Sequence, residues 1–469
     1  MKSIVSTLII TFFYTLVSQA QTCKIDVTID EFSKDTIILG YYFNKQMFVE
    51  DTIPSNSAGK FIIEKEEPLK QGVYIIYLNS EQYFDVLIGE DQTFSIKTST
   101  NELLNNLEVK GATESASFLN YQQLLRTKQK EAKDIQEQLK ATVDEDLKAK
   151  LTQQLQGFGE EVKQKSSSLI DDNPDTFLAI FLKGLQEVEV PEMQAPAGSE
   201  NPDQDVQRMR FNYYKEHYFD NIDLSDERLL RTPYFTDKID RYLSQVLVIP
   251  DTIIIGCHRM IAATEGSDEM QKYLIQHLFN WANESKTMGM DAVMVDMADA
   301  YYLNGRADWV DEEFLTKLQE RVDKIKPTLL NKVAKDFKMQ SYTGEFHRLS
   351  EVRAPFTILV FWEPECGHCK KEIPKLNEEV WKNYADKGIK IVAVYTQNNK
   401  EEWEEFITEH ALEEWIHLYD PYNQSGFRNN YDIYSTPVIY ILDKDKKILA
   451  KRLGVEQIPG FLDHHLKNL

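Results

Sequence analysis

Cys366 and Cys369 are the residues of this chain whose type and spacing are best suited to chemistry. The apolar run 356–362 predicts a buried strand that ends just before them, and a helical pattern begins at Cys366. The free N–H groups and the dipole of a helix N-terminus stabilise a thiolate. We therefore expect Cys366 to attack a disulfide and Cys369, one turn further along, to resolve the mixed disulfide by forming a Cys366–Cys369 bridge.

Two other uses of this cysteine pair are weaker. A zinc site needs a second pair of ligands, and no other C-x-x-C or H-x-x-x-H spacing occurs among the 4 cysteines and 9 histidines. A permanent disulfide between such near neighbours closes too short a loop to stabilise the fold much. The sequence therefore favours redox exchange, and we predict neither a metal nor a cofactor.

Length and charge limit the function further. A chain of 469 residues exceeds a single core, and its length suggests about three domains. The formal charge is −23, from 76 acidic and 53 basic residues, which argues against nucleic acid as a partner.

The first residues resemble an export signal. Lys2 precedes an apolar run at 4–17, and small residues at 18–20 suit cleavage after Ala20, so residues 1–20 are predicted to be a secretory signal peptide. No later run approaches the roughly 18 apolar residues of a membrane span. We expect an exported protein that does not cross the membrane.

The two remaining cysteines are expected to be structural. Cys23 could carry lipid in a bacterial lipoprotein, but residues 20–22 match the lipobox poorly, so we favour a small apolar residue that opens the first strand. Cys257 lies in an apolar helical pattern and is expected to be a core thiol. The sequence leaves a Cys23–Cys257 bridge open, although we expect both to be free.

Before the redox region the chain divides into a β part and a helical part. Residues 21–112 show short runs that alternate with period two, which predicts a small antiparallel β-sandwich. Residues 113–190 form a charged helical connector, in which apolar residues at every fourth position predict a break near Val143–Asp144. Residues 191–336 are interpreted as an all-α domain. The predicted fold is thus multidomain.

Residues 337–469 alternate strands and helices in the order of an α/β thioredoxin-like domain. Together with the cysteine pair, Pro374 and the dipeptide Thr436-Pro437 before the last hairpin resemble the thioredoxin superfamily. The resemblance implies that Pro374 kinks the active-site helix and that Thr436 and Pro437, joined by a cis bond, contact an extended substrate. We also predict that Trp362, at the end of the strand before the two cysteines, contacts the substrate.

The closest resemblance is to the exported TlpA-like and cytochrome-maturation branch of that superfamily. It rests on the run from Cys369 to Pro374 and on the lead-in 342–350, which resembles an extra hairpin. In this branch a glutamate sits near the active site, so Glu372 is predicted to modulate proton transfer to or from the cysteines. The alternative for Glu372 is a solvated surface carboxylate. Val360 replaces the aspartate of classical thioredoxins, which supports the exported branch.

Gly367 and His368 are predicted to tune the redox potential. The same Cys-Gly-His-Cys motif occurs in protein disulfide isomerases, where an imidazolium beside the thiolate stabilises the reduced form. The nearby Glu363 and Glu365 act in the opposite direction by disfavouring a thiolate. The sequence leaves the net potential open.

We therefore predict a periplasmic thiol–disulfide oxidoreductase of the protein disulfide reductase or isomerase type. Its partners would be disulfide-bearing protein clients and a membrane-linked thiol electron donor or acceptor; homodimerisation is left open. One alternative is a Cu(I)-binding protein, although no histidine occupies a recognisable copper position. Thiol peroxidase is the other, but Leu359 and Glu363 stand where that chemistry needs a proline and a hydroxyl.

Overall fold

The computed structural model describes residues 22–467. The chain forms two compact units, one that ends at Val246 and one that begins at Leu247. This division lies within the helical domain expected at 191–336, so the helices of that range belong to both units, and the five-part domain division stays a prediction. The predicted signal peptide lies outside the described residues. Between residues 22 and 467, no helix is long and apolar enough to cross a membrane.

The first unit begins with a β domain of eight strands in the order β6-β5-β2-β3-β4-β1-β7-β8. The strands are β1 (Cys23–Asp30), β2 (Thr36–Phe43), β3 (Gln46–Ser57), β4 (Lys60–Lys65), β5 (Gly72–Asn79), β6 (Gln82–Ile88), β7 (Thr93–Ser99) and β8 (Glu108–Lys110). The expectation of a purely antiparallel domain is wrong for one pair, because β1 and β7 run parallel. Alternate residues of β1, including Cys23, enter a shared apolar core.

Five helices follow in the first unit: α1 (Thr113–Ala141), α2 (Glu145–Asp172), α3 (Phe177–Leu185), α4 (Pro202–His217) and α5 (Phe235–Arg241). The predicted break between α1 and α2 is confirmed. Val143 is 91% exposed there, and the Asp144 side chain accepts hydrogen bonds from the N–H groups of Asp146 and Leu147 and so caps α2.

Four helices open the second unit: α6 (Pro250–Ala262), α7 (Asp268–Glu284), α8 (Met290–Met297) and α9 (Glu312–Ile325). Cys257 lies on the buried face of α6 as predicted, and its burial raises the pKa of the thiol to about 12. Burial likewise raises the pKa of Cys23 to about 11. Both cysteines are free thiols, as expected.

The rest of the second unit is a seven-stranded mixed sheet with helices on both faces, in the order β10-β9-β13-β12-β11-β14-β15. Its strands are β9 (Lys338–Ser341), β10 (Phe346–Arg348), β11 (Phe356–Trp362), β12 (Lys390–Tyr395), β13 (Ile416–Tyr419), β14 (Val438–Asp443) and β15 (Ile448–Lys451). Its helices are α10 (Cys369–Leu376), α11 (Lys382–Tyr384), α12 (Lys400–Glu409), α13 (Phe427–Asn430) and α14 (Ile458–Leu466). The predicted thioredoxin-like order is confirmed, and the predicted extra hairpin is β9–β10.

Backbone hydrogen bonds and a buried ion pair connect the helical part of this unit to its sheet. Asn331 N–H donates to the Ile448 carbonyl, and Ile448 N–H donates to the Lys332 carbonyl, so the segment before β9 lies along the edge strand β15. Lys451 on β15 forms an ion pair with Asp291 on α8, and both side chains are buried, at 4% and 8% exposure. Burial lowers the pKa of Lys451, and Asp291 only partly offsets this.

Candidate functional site

The two cysteines lie where the central strand β11 gives way to α10. The helix begins at Cys369 rather than at Cys366, because a turn at 363–368 intervenes. Lys370 N–H nevertheless donates to the Cys366 carbonyl at 3.0 Å, so Cys366 belongs to the first hydrogen-bonded turn. The site stands at the carboxyl end of a buried strand, where parallel α/β sheets commonly place ligands and catalytic groups.

The surroundings of the cysteines make their thiols unequal. Burial raises the pKa of Cys366, but hydrogen bonds from the side chains of Thr436 and Cys369 and from the backbone N–H groups of Cys369 and His368 outweigh it, so the net pKa is lowered. Burial raises the pKa of Cys369 to about 12. Cys366 is half-buried whereas Cys369 is fully buried. Cys366 therefore presents the more accessible and more acidic thiol.

This inequality predicts the pH dependence of alkylation. Because only the thiolate reacts, the lowered pKa of Cys366 gives more reactive form at a given pH than a free cysteine has. We expect one fast iodoacetamide adduct, at Cys366, whose rate rises with pH through a midpoint below that of cysteine in a peptide. Peptide mass mapping across pH measures this, with the Cys366→Ser protein as control. A pH midpoint at or above that of cysteine in a peptide would contradict the lowered pKa of Cys366.

The loop before β14 closes over the cysteines. The Thr436–Pro437 bond is cis, as predicted, and Cys366 Sγ lies 3.1 Å from the Thr436 carbonyl oxygen, to which its S–H donates. Thr436 and Pro437 are both partly exposed. The structure thus brings the predicted substrate loop and the attacking sulfur into direct contact.

Glu363, which was expected only to disfavour a thiolate, is also a positioning residue. Its carboxylate accepts hydrogen bonds from the Thr436 hydroxyl at 3.1 Å, from the Thr396 hydroxyl at 3.3 Å and from the Gln397 amide at 2.5 Å. It therefore holds the loop of Thr436 and the end of β12 against the cysteine turn. Its place directly after a buried strand was the available signal, but the sequence did not show which distant residues it would meet.

A cavity of about 810 Å³ opens beside the cysteine turn. His368 and Glu372 line one side of it, and Thr436 and Pro437 line another. His368 is exposed and Glu372 is partly buried. The predicted tuning and proton-transfer residues therefore face the same space as the predicted substrate loop. We call this cavity the active-site groove.

Trp362 is not a substrate contact, so that prediction is wrong. Its side chain is fully buried and packs on Phe406, with ring centroids 4.9 Å apart. All seven residues of β11 are buried, because both faces of this central strand are covered. A continuous apolar run in the sequence therefore does not indicate to which face of the sheet each side chain points.

Pro374 and Gly367 have different structural roles. Pro374 lies inside α10, and the helix continues after Leu376 as a π-turn at Asn377–Trp381, which interrupts its regular α geometry. A side chain at Gly367 would meet nothing within 4 Å. Packing therefore does not require a glycine there, and its tuning role stays a prediction, as does that of His368.

The structure holds both redox cysteines as thiols, so the Cys366–Cys369 disulfide stays a prediction. Val360, in the position of the classical aspartate, is fully buried in the core beneath the site.

Within residues 22–467, no group of three or more His, Cys, Asp or Glu side chains is arranged to hold a metal. His417 is buried, which lowers its pKa to about 4, and its Nε2 contacts the Leu412 carbonyl at 2.7 Å.

Comparison with known proteins agrees with this geometry. Residues 330–451 match the AhpC/TSA family. The thiol-disulfide oxidoreductase ResA of Geobacillus thermodenitrificans is 30% identical over 133 residues, which cover 28% of this chain and 74% of that protein. The chain belongs to the ResA-like thiol-disulfide oxidoreductases. ResA of Bacillus cereus is 26% identical over 136 residues and is covered to 76% of its length.

Two solved structures are also similar to parts of this chain. A domain of a possible thiol-disulfide isomerase from Cytophaga hutchinsonii is 41% identical, with 30% of this chain and 95% of that chain covered and a TM-score of 0.28. A thioredoxin-like protein from Bacteroides caccae is 19% identical, with 59% of this chain and 100% of that chain covered and a TM-score of 0.47. Like other ResA-like proteins, the chain is a thiol–disulfide oxidoreductase with a thioredoxin-like C-terminal domain.

Proposed function

We propose that this chain is an exported, periplasmic enzyme that exchanges disulfides with protein clients through Cys366 and Cys369. The observation that carries the proposal is the inequality of the two thiols. The accessible thiol has the lowered pKa, and the buried thiol has a pKa raised to about 12. An apolar run at 4–17 followed by small residues supports export.

In the reductive direction the Cys366 thiolate attacks one sulfur of a client disulfide. A bond forms between Cys366 and that sulfur, and the second client sulfur leaves as a thiolate and takes a proton. Cys369 then loses its proton and attacks Cys366, which forms the Cys366–Cys369 disulfide and releases the first client sulfur. The client gains two electrons and two protons, and the enzyme dithiol is oxidised by the same amount.

A proton acceptor within the chain and an external electron donor complete this cycle. Because the pKa of Cys369 is raised, its thiol needs a base before it can attack, and Glu372 is the proposed proton acceptor since it lines the active-site groove. A membrane-linked dithiol would reduce the enzyme disulfide again. In the oxidative direction the same steps run in reverse, and the membrane partner accepts electrons.

The groove supports a polypeptide client. It is open to solvent along the loop of Thr436 and Pro437, and Tyr434 on its rim is 98% exposed. An aromatic side chain that is free of packing provides a large contact area for a partner. An extended chain that crosses this loop would bring its disulfide to the 3.1 Å contact between Cys366 Sγ and the Thr436 carbonyl.

Insulin reduction tests the proposed function. With dithiothreitol as electron source, we expect the protein to accelerate insulin precipitation and to exchange with glutathione disulfide to form one intramolecular bridge, located by mass spectrometry. The same protein alkylated at Cys366 is the matched control and should be inactive. A protein that exchanges no disulfide but binds Cu(I) tightly through the two cysteines would overturn the proposal.

A further inference from the structure

Helix α9 contributes one residue to the lining of the active-site groove. Arg321 of this helix lines the groove together with residues of the cysteine helix and of the loop before β14. The part of the chain that matches the AhpC/TSA family begins at residue 330, so Arg321 comes from the helical segment that precedes it. A thioredoxin-like site is thus extended here by a side chain from outside the thioredoxin-like domain.

The packing of α9 fixes the backbone position of Arg321. Leu318, Val322 and Ile325 form the buried face of α9, and the helix packs against α13, which leads into the loop before β14. Just beyond α9, the Thr328 carbonyl accepts a hydrogen bond from Lys451 Nζ at 2.7 Å. A residue held by a packed helix is positioned more accurately than one on a free loop.

The charges around Arg321 are unbalanced. Arg321 and Arg452 both line the active-site groove and a second, smaller cavity, so the two residues lie near each other. Arg452 is paired with Asp432 at 2.9 Å, whereas no ion pair joins Arg321 to another of the residues from 22 to 467. The chain has an excess of acidic residues, 76 against 53 basic ones, so an arginine that lines the groove without an ion pair is a candidate to bind an acidic group of a client.

We propose that Arg321 recognises a carboxylate on the client, from an Asp or Glu side chain that flanks the reactive disulfide. A guanidinium presents a rigid set of donors that matches a carboxylate. Glu363, Glu365 and Glu372 near the cysteines repel acidic clients, and Arg321 offsets this repulsion on the wall of the groove. This inference rests on the proposed function and assigns the client class: polypeptides with acidic residues beside the disulfide.

Two synthetic peptides test the inference. Each carries one intramolecular disulfide, and they differ only in Glu or Gln at the flanking positions. We measure the second-order rate constant for their reduction by the reduced protein in a single turnover. At low salt we expect the Glu peptide to react about fivefold faster, which is the upper range for an exposed charge pair. About 0.5 M sodium chloride should remove most of this preference by screening.

Variants of α9 complete the test. Arg321→Gln should bring the ratio of the two rate constants to one or below, because the nearby glutamates then repel the Glu peptide unopposed, and Arg321→Glu should lower the ratio further. Lys324→Gln is the matched control, because it removes the same charge from an exposed position of the same helix that does not line the groove. Its ratio should equal that of the wild type.

The outcomes separate the inference from the proposed function. If the wild type reduces both peptides at equal rates, or if Arg321→Gln keeps the fivefold preference, the inference is wrong and the proposed function stands. If the wild type reduces neither peptide, the proposed function fails. Should Arg321→Gln not fold, the effect of salt on the wild-type ratio decides: a preference that does not change with salt excludes recognition by charge.

Discussion

Replacing Cys366 with serine is expected to abolish disulfide exchange, with a loss of about a thousandfold or more, as for other nucleophiles that act as part of a unit. Cys366 is the half-buried thiol whose pKa is lowered, against the effect of burial, by the Thr436 side chain and by backbone N–H groups at the helix start. A serine hydroxyl at the same place does not ionise near neutral pH and cannot form the mixed disulfide. The rate of insulin reduction measures this loss.

The companion variant Cys369→Ser should behave differently. Attack by Cys366 is intact, but the resolving sulfur is absent, so the mixed disulfide with a client accumulates. Non-reducing electrophoresis and intact mass should show a one-to-one adduct that dithiothreitol removes. The prediction is wrong if Cys366→Ser, rather than Cys369→Ser, forms the adduct. That result would exchange the roles of the two cysteines.

Replacing Lys451 with methionine is expected to lower the free energy of unfolding of the second unit by about 3–5 kcal/mol. Lys451 and Asp291 are both almost fully buried, so the variant leaves a buried carboxylate without its partner. Replacing both residues, with Lys451→Met and Asp291→Leu, should recover part of the loss, because the uncompensated charge is then gone while the Thr328 carbonyl still lacks its donor.

Urea denaturation followed by tryptophan fluorescence measures this effect in the right part of the chain, since all 6 tryptophans lie in the second unit. Lys317→Met is the matched control. Its ion pair with Glu313 on α9 is exposed, with side-chain exposures of 71% and 76%, and its loss should change the free energy of unfolding by less than about 1 kcal/mol. A Lys451→Met protein as stable as this control would contradict the burial of the pair.

Much of the second unit was predictable because its signals are local. The cysteine spacing, Pro374 and Thr436-Pro437 identify a thioredoxin-like domain, and the cis bond stands where that resemblance places it. In the first unit, the four-residue apolar spacing predicted the break between α1 and α2. Each of these signals depends on residues that are close together in the sequence.

The misses have physical reasons. Strand β3 is not among the alternating runs of residues 21–112, because it is mostly exposed and contains Pro54, so it lacks the pattern of a half-buried strand. The direction of the Trp362 side chain was misjudged because β11 is buried on both faces of the sheet. Glu363 and Arg321 lie beside residues that are distant in the sequence. A single sequence does not show which distant residues lie close together in the fold.

The backbone pairing between residues 331–334 and β15 affects where the redox domain can be separated from the rest of the chain. A fragment that begins at residue 337, the boundary suggested by sequence, would lack this pairing segment and leave the N–H and C=O groups of an edge strand exposed. Such an edge is a template for pairing with another chain, and so for aggregation. The segment between α9 and β9 therefore covers the edge of the sheet. A fragment that stays soluble has to include this segment and is longer than the redox domain alone.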